Sequence, residues 1–240
     1  MSNFNNKSFS YASVASKGVS YDSSLREYML KVYNHMAIAL GISGLIALFV
    51  ASSSQLMQAI FTTPLFWLVA LAPLGFVMFF SYKLNSISAA QAKKYLYIYS
   101  ALMGLSLSSI FIAYTAASIT RVFFVTASVF GAMSIYGYTT KKDLTSFGSF
   151  LIMGLFAVLI SMVVNIFLKS PALYFAISII GSLIFIGLTA YDTQKIKQSY
   201  YQFAGNGEAT SKMAVVGALS LYMDFINLFI MMLRLFGERR

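Results

Sequence analysis

MAVVGALSLYMDFINLFIMMLRLF, residues 213–236, is the stretch that decides the fold. It is 24 residues long, almost wholly apolar, and carries one carboxylate, Asp224, near its middle. As a helix rising about 1.5 Å per residue it reaches about 36 Å, enough to cross a hydrocarbon core of about 30 Å. A charge at that depth is costly, so an acid there marks a candidate functional site whose partner must be found. The neighbours of Asp224 at helical spacing are Gly217, Ser220, Asn227 and Met231. This small or polar stripe is predicted to face protein or water. Leu219, Phe225, Phe229 and Leu233 lie off it and are predicted to face lipid or other helices. The bland alternative is a protonated Asp224 that is hydrogen-bonded for packing alone.

The rest of the chain has the same character. Of its 240 residues 59% are hydrophobic and 10% charged, and its mean hydropathy is +0.76. No water-soluble domain of this size is built that way, so the class is an all-α polytopic membrane protein. The chain has no cysteine, which excludes disulfides, thiolate nucleophiles and Cys-ligated metals. One histidine, His35, and seven acids leave little material for a transition-metal site or a hydrolytic triad. There is no phosphate loop, zinc motif or G-x-S-x-G, so an enzyme is not expected and no cofactor is implied. The formal charge of +10 needs no nucleic-acid partner, because Lys and Arg gather in the cytoplasmic loops of membrane proteins.

Seven spans are predicted. Residues 1–24 are rich in Ser, Asn and Lys without apolar period, and read as a disordered cytoplasmic tail with no signal-peptide pattern. Residues 25–240 form a single transmembrane domain. A short amphipathic lead, Leu25 to Lys31, enters span 1 at Val32–Ala51. Span 2 is Leu65–Tyr82, opening after Pro64 and expected to kink at Pro73. Span 3 is Tyr95–Ala117 and span 4 Thr120–Tyr138, with almost nothing between them. Span 5 is Phe150–Leu168, span 6 Ala172–Tyr191, and span 7 Met213–Phe236.

Basic residues orient these spans. Lys and Arg in alternate segments amount to 12 on the amino-terminal side and 2 on the other, before the tail is placed. The positive-inside rule puts the amino terminus and loops 2–3, 4–5 and 6–7 in the cytoplasm. A full seventh span sends Arg234, Arg239 and Arg240 outward, whereas a re-entrant one keeps them inside. The length of the stretch favours spanning.

A second acid, Asp192 in GLTAYDTQKIKQ, falls at the cytoplasmic end of span 6. A span 6–7 hairpin brings it to Asp224 if span 6 stays helical through Lys197 or beyond. Two carboxylates sharing a site cannot both ionise cheaply, so one proton is held and the pair titrates as a unit. Such a pair suits a proton-operated latch, and when ionised it offers hard oxygen ligands for Ca²⁺. Against this stands an ordinary helix-end Asp192 paired with Lys195. Lys83, ending span 2, is either a counter-ion to Asp192 or simply a positive-inside charge. Arg234 is most simply an interfacial, snorkelling group. His35 reads as a membrane-interface residue, and Asn165 in span 5 as interhelical glue.

GLTAYDTQKIK at 187–197, followed by GALSLYMDFINLFIMMLRLFG at 217–237, resembles the paired signature of the Bax inhibitor family, the transmembrane Bax-inhibitor-motif proteins. GYTTKKDLTSFGSFLIMGL at 137–155 is similar to that family's middle segment. The resemblance covers roughly residues 25–237. It implies seven transmembrane helices with the C-terminal helix central, wrapped by the other six. It implies a hydrogen-bonded Asp192–Asp224 pair that senses pH and gates a calcium leak. In some relatives a cationic group ending the second helix latches to the first aspartate, and Lys83 is the nearest candidate, though a Lys cannot make the bidentate fork of an Arg. Some relatives carry a glutamate within helix 2. LVALAPLGFVMFF has no acid, which leaves an interface latch at Arg234 without its partner. Other bacterial relatives are associated with a membrane-bound ATP-dependent protease.

The leading expectation is therefore a pH-sensitive calcium-leak channel or transporter of a bacterial inner membrane, with its amino terminus cytoplasmic. Its partners are the lipid bilayer and calcium ions. The alternative is a non-transporting interaction protein that regulates a membrane protease, its aspartates only structural.

Overall fold

In the computed structural model the backbone is described from Asn5 and the side chains from Ser23. The expected tail at residues 1–24 lies, but for its last two positions, outside the residues whose side chains are described. Among the described residues nine α-helices follow in order: α1 Asn5–Ser52, α2 Ser54–Phe61, α3 Leu65–Lys83, α4 Ala89–Leu107, α5 Ile110–Ala113, α6 Ala116–Thr139, α7 Thr145–Leu168, α8 Pro171–Phe203 and α9 Gly207–Phe236. Seven helical stretches there are long and apolar enough to cross a membrane. The predicted spans all appear, most of them lengthened at their polar ends, while span 3 ends at Ala113 and not Ala117.

Local chemistry sets the helix limits. Ser88 and Gln91 form a reciprocal capping box at the start of α4. Thr115, Ser170 and Asn206 cap α6, α8 and α9 with side-chain oxygens. Pro171 occupies the first turn of α8, where its missing N–H costs nothing. The helix breaks between spans 3 and 4 at Tyr114 and Thr115, earlier than predicted, because the Thr115 cap starts α6 there. α3 continues through Pro73. The short helix α2 was not anticipated; it is amphipathic and lies between spans 1 and 2.

The C-terminal helix is the centre of the bundle. Its most apolar window is 72% buried, against 11% for α3 and α7. α8, α1, α6 and α4 pack directly on it, while α3 packs mainly on α4, and α7 on α8. Four helices thus lie directly against the last one, and α3 and α7 complete the wrapping as an outer pair. α3 exposes Trp67, Leu71 and Met78, and α7 exposes Phe150, Phe156 and Ile160, as lipid-facing helices do. On α9 the choice between lipid and protein falls to protein. Leu219, Phe225, Phe229 and Leu233, for which the sequence left both open, are all buried. Lipid and protein interior are equally apolar, so hydrophobic side chains alone do not distinguish them.

α9 crosses the whole bundle. Near its start, Glu208 Oε1 accepts from the Ala89 N–H at 2.6 Å, and Lys212 Nζ donates to the Leu84 carbonyl at 3.2 Å. Beyond its end, Thr115 N–H donates to the Glu238 carbonyl at 3.0 Å, and Arg240 N–H to the Ala113 carbonyl at 3.1 Å. Arg121 pairs with Glu238 at 2.8 Å. The tail thus lies on the loop 3–4 face, opposite loop 6–7, which is the spanning arrangement. Single cysteines at Ser88, Ser146 and Ser211 should label from one side of a sealed vesicle. Those at Ser53, Ser170 and after Arg240 should label from the other. Labelling of the last position together with Ser211 would contradict the spanning arrangement.

The α6–α7 link, Thr140–Leu144, is held by two polar devices. Gln194 of α8 accepts from the Leu144 N–H at 2.9 Å and donates to the Lys142 carbonyl at 2.8 Å. Asp143 accepts from the Thr145 N–H at 2.8 Å, and its bonds to Thr145 hold its carboxyl below its ordinary value. A depressed carboxylate contributes stability that is present above its unfolded pKa and lost as pH falls through the folded one. Asp143→Asn should therefore melt lower than wild type at neutral pH, and the two curves should merge in acid. A constant gap across pH would mean that charge at Asp143 plays no part.

Candidate functional site

α8 and α9 form an antiparallel hairpin joined at Ala204–Asn206, where Gly205 takes a φ of +100° that a side chain would strain. Its register is fixed by close approaches. A Cβ on Gly217 would lie 3.0 Å from Ile196, and one on Gly181 3.1 Å from Met231 Sδ. The same register places Asp192 level with Ser220, and Asp224 one turn deeper. The continuous helix through Phe203 supplies the extension of span 6 that this meeting requires.

Ser220 Oγ donates a hydrogen bond to Asp192 Oδ2. The Asp192 and Asp224 carboxyl groups lie within hydrogen-bonding reach of each other. A bond between two carboxyl groups needs one proton. The two acids face different surroundings. Asp224 is buried at 6% exposure, and no N–H or hydroxyl among the described residues reaches its Oδ2. Asp192 is half-buried and lines a small cavity of about 90 Å³ together with Lys195, Ser199, Gly217 and Ser220. Tyr28 of α1 bonds Ser199 at 3.3 Å beside this cavity and packs against the Tyr200 ring at 5.3 Å. One acid therefore meets the cavity and the other is sealed behind it.

The surrounding helices are tightly seated. A Cβ on Gly137 of α6 would fall 2.2 Å from the Ala190 carbonyl oxygen, and one on Gly148 of α7 2.3 Å from the Tyr191 ring. Lys197 Nζ donates to the Tyr138 carbonyl at 2.9 Å. Nearer the middle of the bundle, Ser43 Oγ donates to the Ser100 carbonyl at 2.7 Å and meets Tyr222 Oη at 2.6 Å, tying α1, α4 and α9 together.

The structure brings Asp192 and Asp224 together but leaves the other candidates apart. Lys83 is exposed at the end of α3, which packs mainly on α4, and among the described residues it forms no ion pair with Asp192. Lys195, one turn along α8, lines the same cavity as Asp192. Arg234 stacks over the Tyr174 ring at 5.3 Å, and no carboxylate pairs with it among the described residues. It is thus a ring-stacked end group, not an acid-paired latch. Asn165 accepts from the Ser170 N–H at 3.0 Å, closing the α7–α8 turn instead of gluing helices. His35 Nδ1 lies 3.2 Å from Tyr97 Oη. Ser220 carried no assigned role in the sequence beyond its place on the Asp224 stripe. Its position one turn before Asp224 is the signal, and the hairpin register turns that into a contact.

Comparison with known proteins identifies relatives over most of the chain. Residues 25–240 match the family model described as Bax1-I, inhibitor of apoptosis-promoting Bax1. An uncharacterised protein of Rickettsia prowazekii is 46% identical over 225 residues, covering 94% of this chain and 95% of its own. The inner membrane protein YbhL of Escherichia coli K12 is 46% identical over 218 residues, covering 90% and 93%. An uncharacterised membrane protein of Streptococcus pyogenes serotype M1 is 34% identical over 219 residues, covering 90% and 95%. None of these names states a catalytic activity. With seven apolar helices and a family match over all but its first 24 residues, the chain belongs to the Bax inhibitor family of multi-pass membrane proteins.

Proposed function

We propose that the protein is a pH-sensitive calcium leak of the bacterial inner membrane, closed by a proton shared between Asp192 and Asp224. The observation that carries this reading is the sealed acid. A buried carboxylate with no donor to one of its oxygens is costly as a charge, so Asp224 is neutral when it rests against Asp192. The shared proton then bonds the central helix to α8. Loss of that proton as pH rises leaves two negative charges in contact, and their repulsion favours a state in which both are hydrated or meet a cation. Asp192, lining the cavity, is the acid that a cation reaches first.

Calcium is cargo in this reading, not a resident ligand. Among the described residues no three His, Cys, Asp or Glu side chains gather. Two carboxylates and one hydroxyl fall short of the roughly six to eight oxygens that hold Ca²⁺ firmly. A passing ion keeps much of its water, which suits transit better than storage. The inner-membrane placement is supported by the name of the Escherichia coli relative, and the cytoplasmic amino terminus by the excess of Lys and Arg on that side.

Flux of Ca²⁺ through the purified protein in liposomes, measured against pH, tests the proposal. Flux should rise with pH in one step. A flat response, or none above protein-free liposomes, would reject it and favour a non-transporting interaction protein. Lys83→Met should follow the wild-type profile, since Lys83 does not touch the pair. Lys195→Met should shift the step towards higher pH, because a cation near Asp192 favours its ionised form.

A further inference from the structure

We infer a second site at the opposite end of α9, where three arginines hold the phosphate of an anionic phospholipid. A cavity of about 650 Å³ opens between the α4–α5 segment, the start of α8 and the end of α9. Arg234, Arg239 and Arg240 line it, with Tyr114 and Tyr174. Arg234 and Arg239 stack on Tyr174 at 5.3 and 5.4 Å, and the hydroxyls of Tyr114 and Tyr174 lie beside Arg239.

Three like charges gather here, and no ion pair among the described residues involves any of them. The ion pairs there are Glu27 with Lys31 and Glu238 with Arg121, which uses the one side-chain carboxylate of the tail. The cluster is also built, not frayed. The tail is pinned by the Thr115–Glu238 and Arg240–Ala113 backbone bonds, and by Ser118 Oγ accepting from the Glu238 N–H at 2.9 Å. Guanidinium groups held in place, with phenol hydroxyls beside them, match the several acceptor oxygens of a phosphate.

Two features favour a lipid over free phosphate. The cavity lies at the ends of spanning helices, where headgroups sit, and Leu107, Ile110 and Leu233 form part of its wall. Tyr174 and Arg234 also border a second, mainly apolar cleft of about 430 Å³, lined by Met162, Ile166 and Ile177 with Asn165 as the further polar side chain. One arginine thus stands between a basic pocket and an apolar cleft, the arrangement an anionic headgroup and its acyl chain require.

The full-length protein in detergent, titrated with short-chain phosphatidylglycerol, short-chain phosphatidylcholine or inorganic phosphate and read by native mass spectrometry, tests this. Phosphatidylglycerol should bind best. Arg234→Gln/Arg239→Gln should weaken it about tenfold or more, since charge-assisted hydrogen bonds are lost. Lys93→Gln/Lys94→Gln, at the other end of the bundle, should bind as wild type. Equal binding by the wild type and the arginine double variant would overturn the site. Phosphate binding without a preference for phosphatidylglycerol over phosphatidylcholine would overturn the lipid assignment. If the double variant does not fold, Arg240→Gln decides. A loss of about threefold supports the site, and undiminished binding overturns it.

Discussion

Asp224→Asn should produce a protein whose Ca²⁺ flux no longer responds to pH. The substitution keeps the shape of the side chain and removes its titration. An amide also donates a hydrogen bond at every pH, so the new side chain would hold Asp192 as the protonated acid does, without a proton to lose. Flux should fall about tenfold or more across the pH range, because the pathway loses one of its two negative charges, and about 1.4 kcal/mol is enough for that factor. Asp192→Asn should also flatten the profile, with Ser220 losing its charged acceptor. The double variant should be no worse than either single one, because the two acids act as one unit. Folding is checked separately by thermal melting. Asp224→Asn should melt at or above wild type, since an acid lacking a donor for one oxygen is replaced by a group that makes its own bond. Ordinary pH-dependent flux in the Asp224→Asn protein would end the gate hypothesis.

The largest expected loss of stability is at Gly137. Its missing Cβ lets α6 lie directly on the backbone of α8 two residues before Asp192, and an added methyl would sit 2.2 Å from the Ala190 carbonyl oxygen. Neither partner is a flexible side-chain end, so the helices must part. Overpacking of this kind costs about 1–3 kcal/mol, occasionally more. At about 2–4 °C per kcal/mol for a chain of this size, Gly137→Ala should lower Tm by roughly 2–12 °C. Gly131→Ala on the same helix is the control. Nothing lies within 4 Å of its added Cβ, so it should melt unchanged or slightly higher, as helix propensity favours alanine. If both variants melted together, the close α6–α8 crossing would be refuted. Because the crossing adjoins Asp192, Gly137→Ala should also alter the flux step in any fraction that remains folded.

Much of this molecule is legible in its order of residues. Seven apolar runs, separated by caps and turns that any helix would need, determine the count of spans, because water and hydrocarbon sort side chains by polarity over a window of about 20 residues. The two lone acids in the last two spans were visible for the same reason, as charges where none should be. Local spacing also placed Ser220 on the face of Asp224. The limits came where one apolar environment had to be told from another. Leu219, Phe225, Phe229 and Leu233 suit lipid or other helices equally by sequence, yet all are core, since hydropathy scores lipid and protein interior alike. Lys83 and Asp192 share a predicted face of the membrane, but which helices are neighbours depends on close approaches at Gly137, Gly181 and Gly217, contacts whose partners lie far away in the chain. Only the tertiary structure decided that α9 is sealed among its neighbours, that Asp192 meets the cavity while Asp224 does not, and that the tail arginines fold back around Tyr174. Each of these is a relation between helices, fixed by packing over distances that no local pattern encodes.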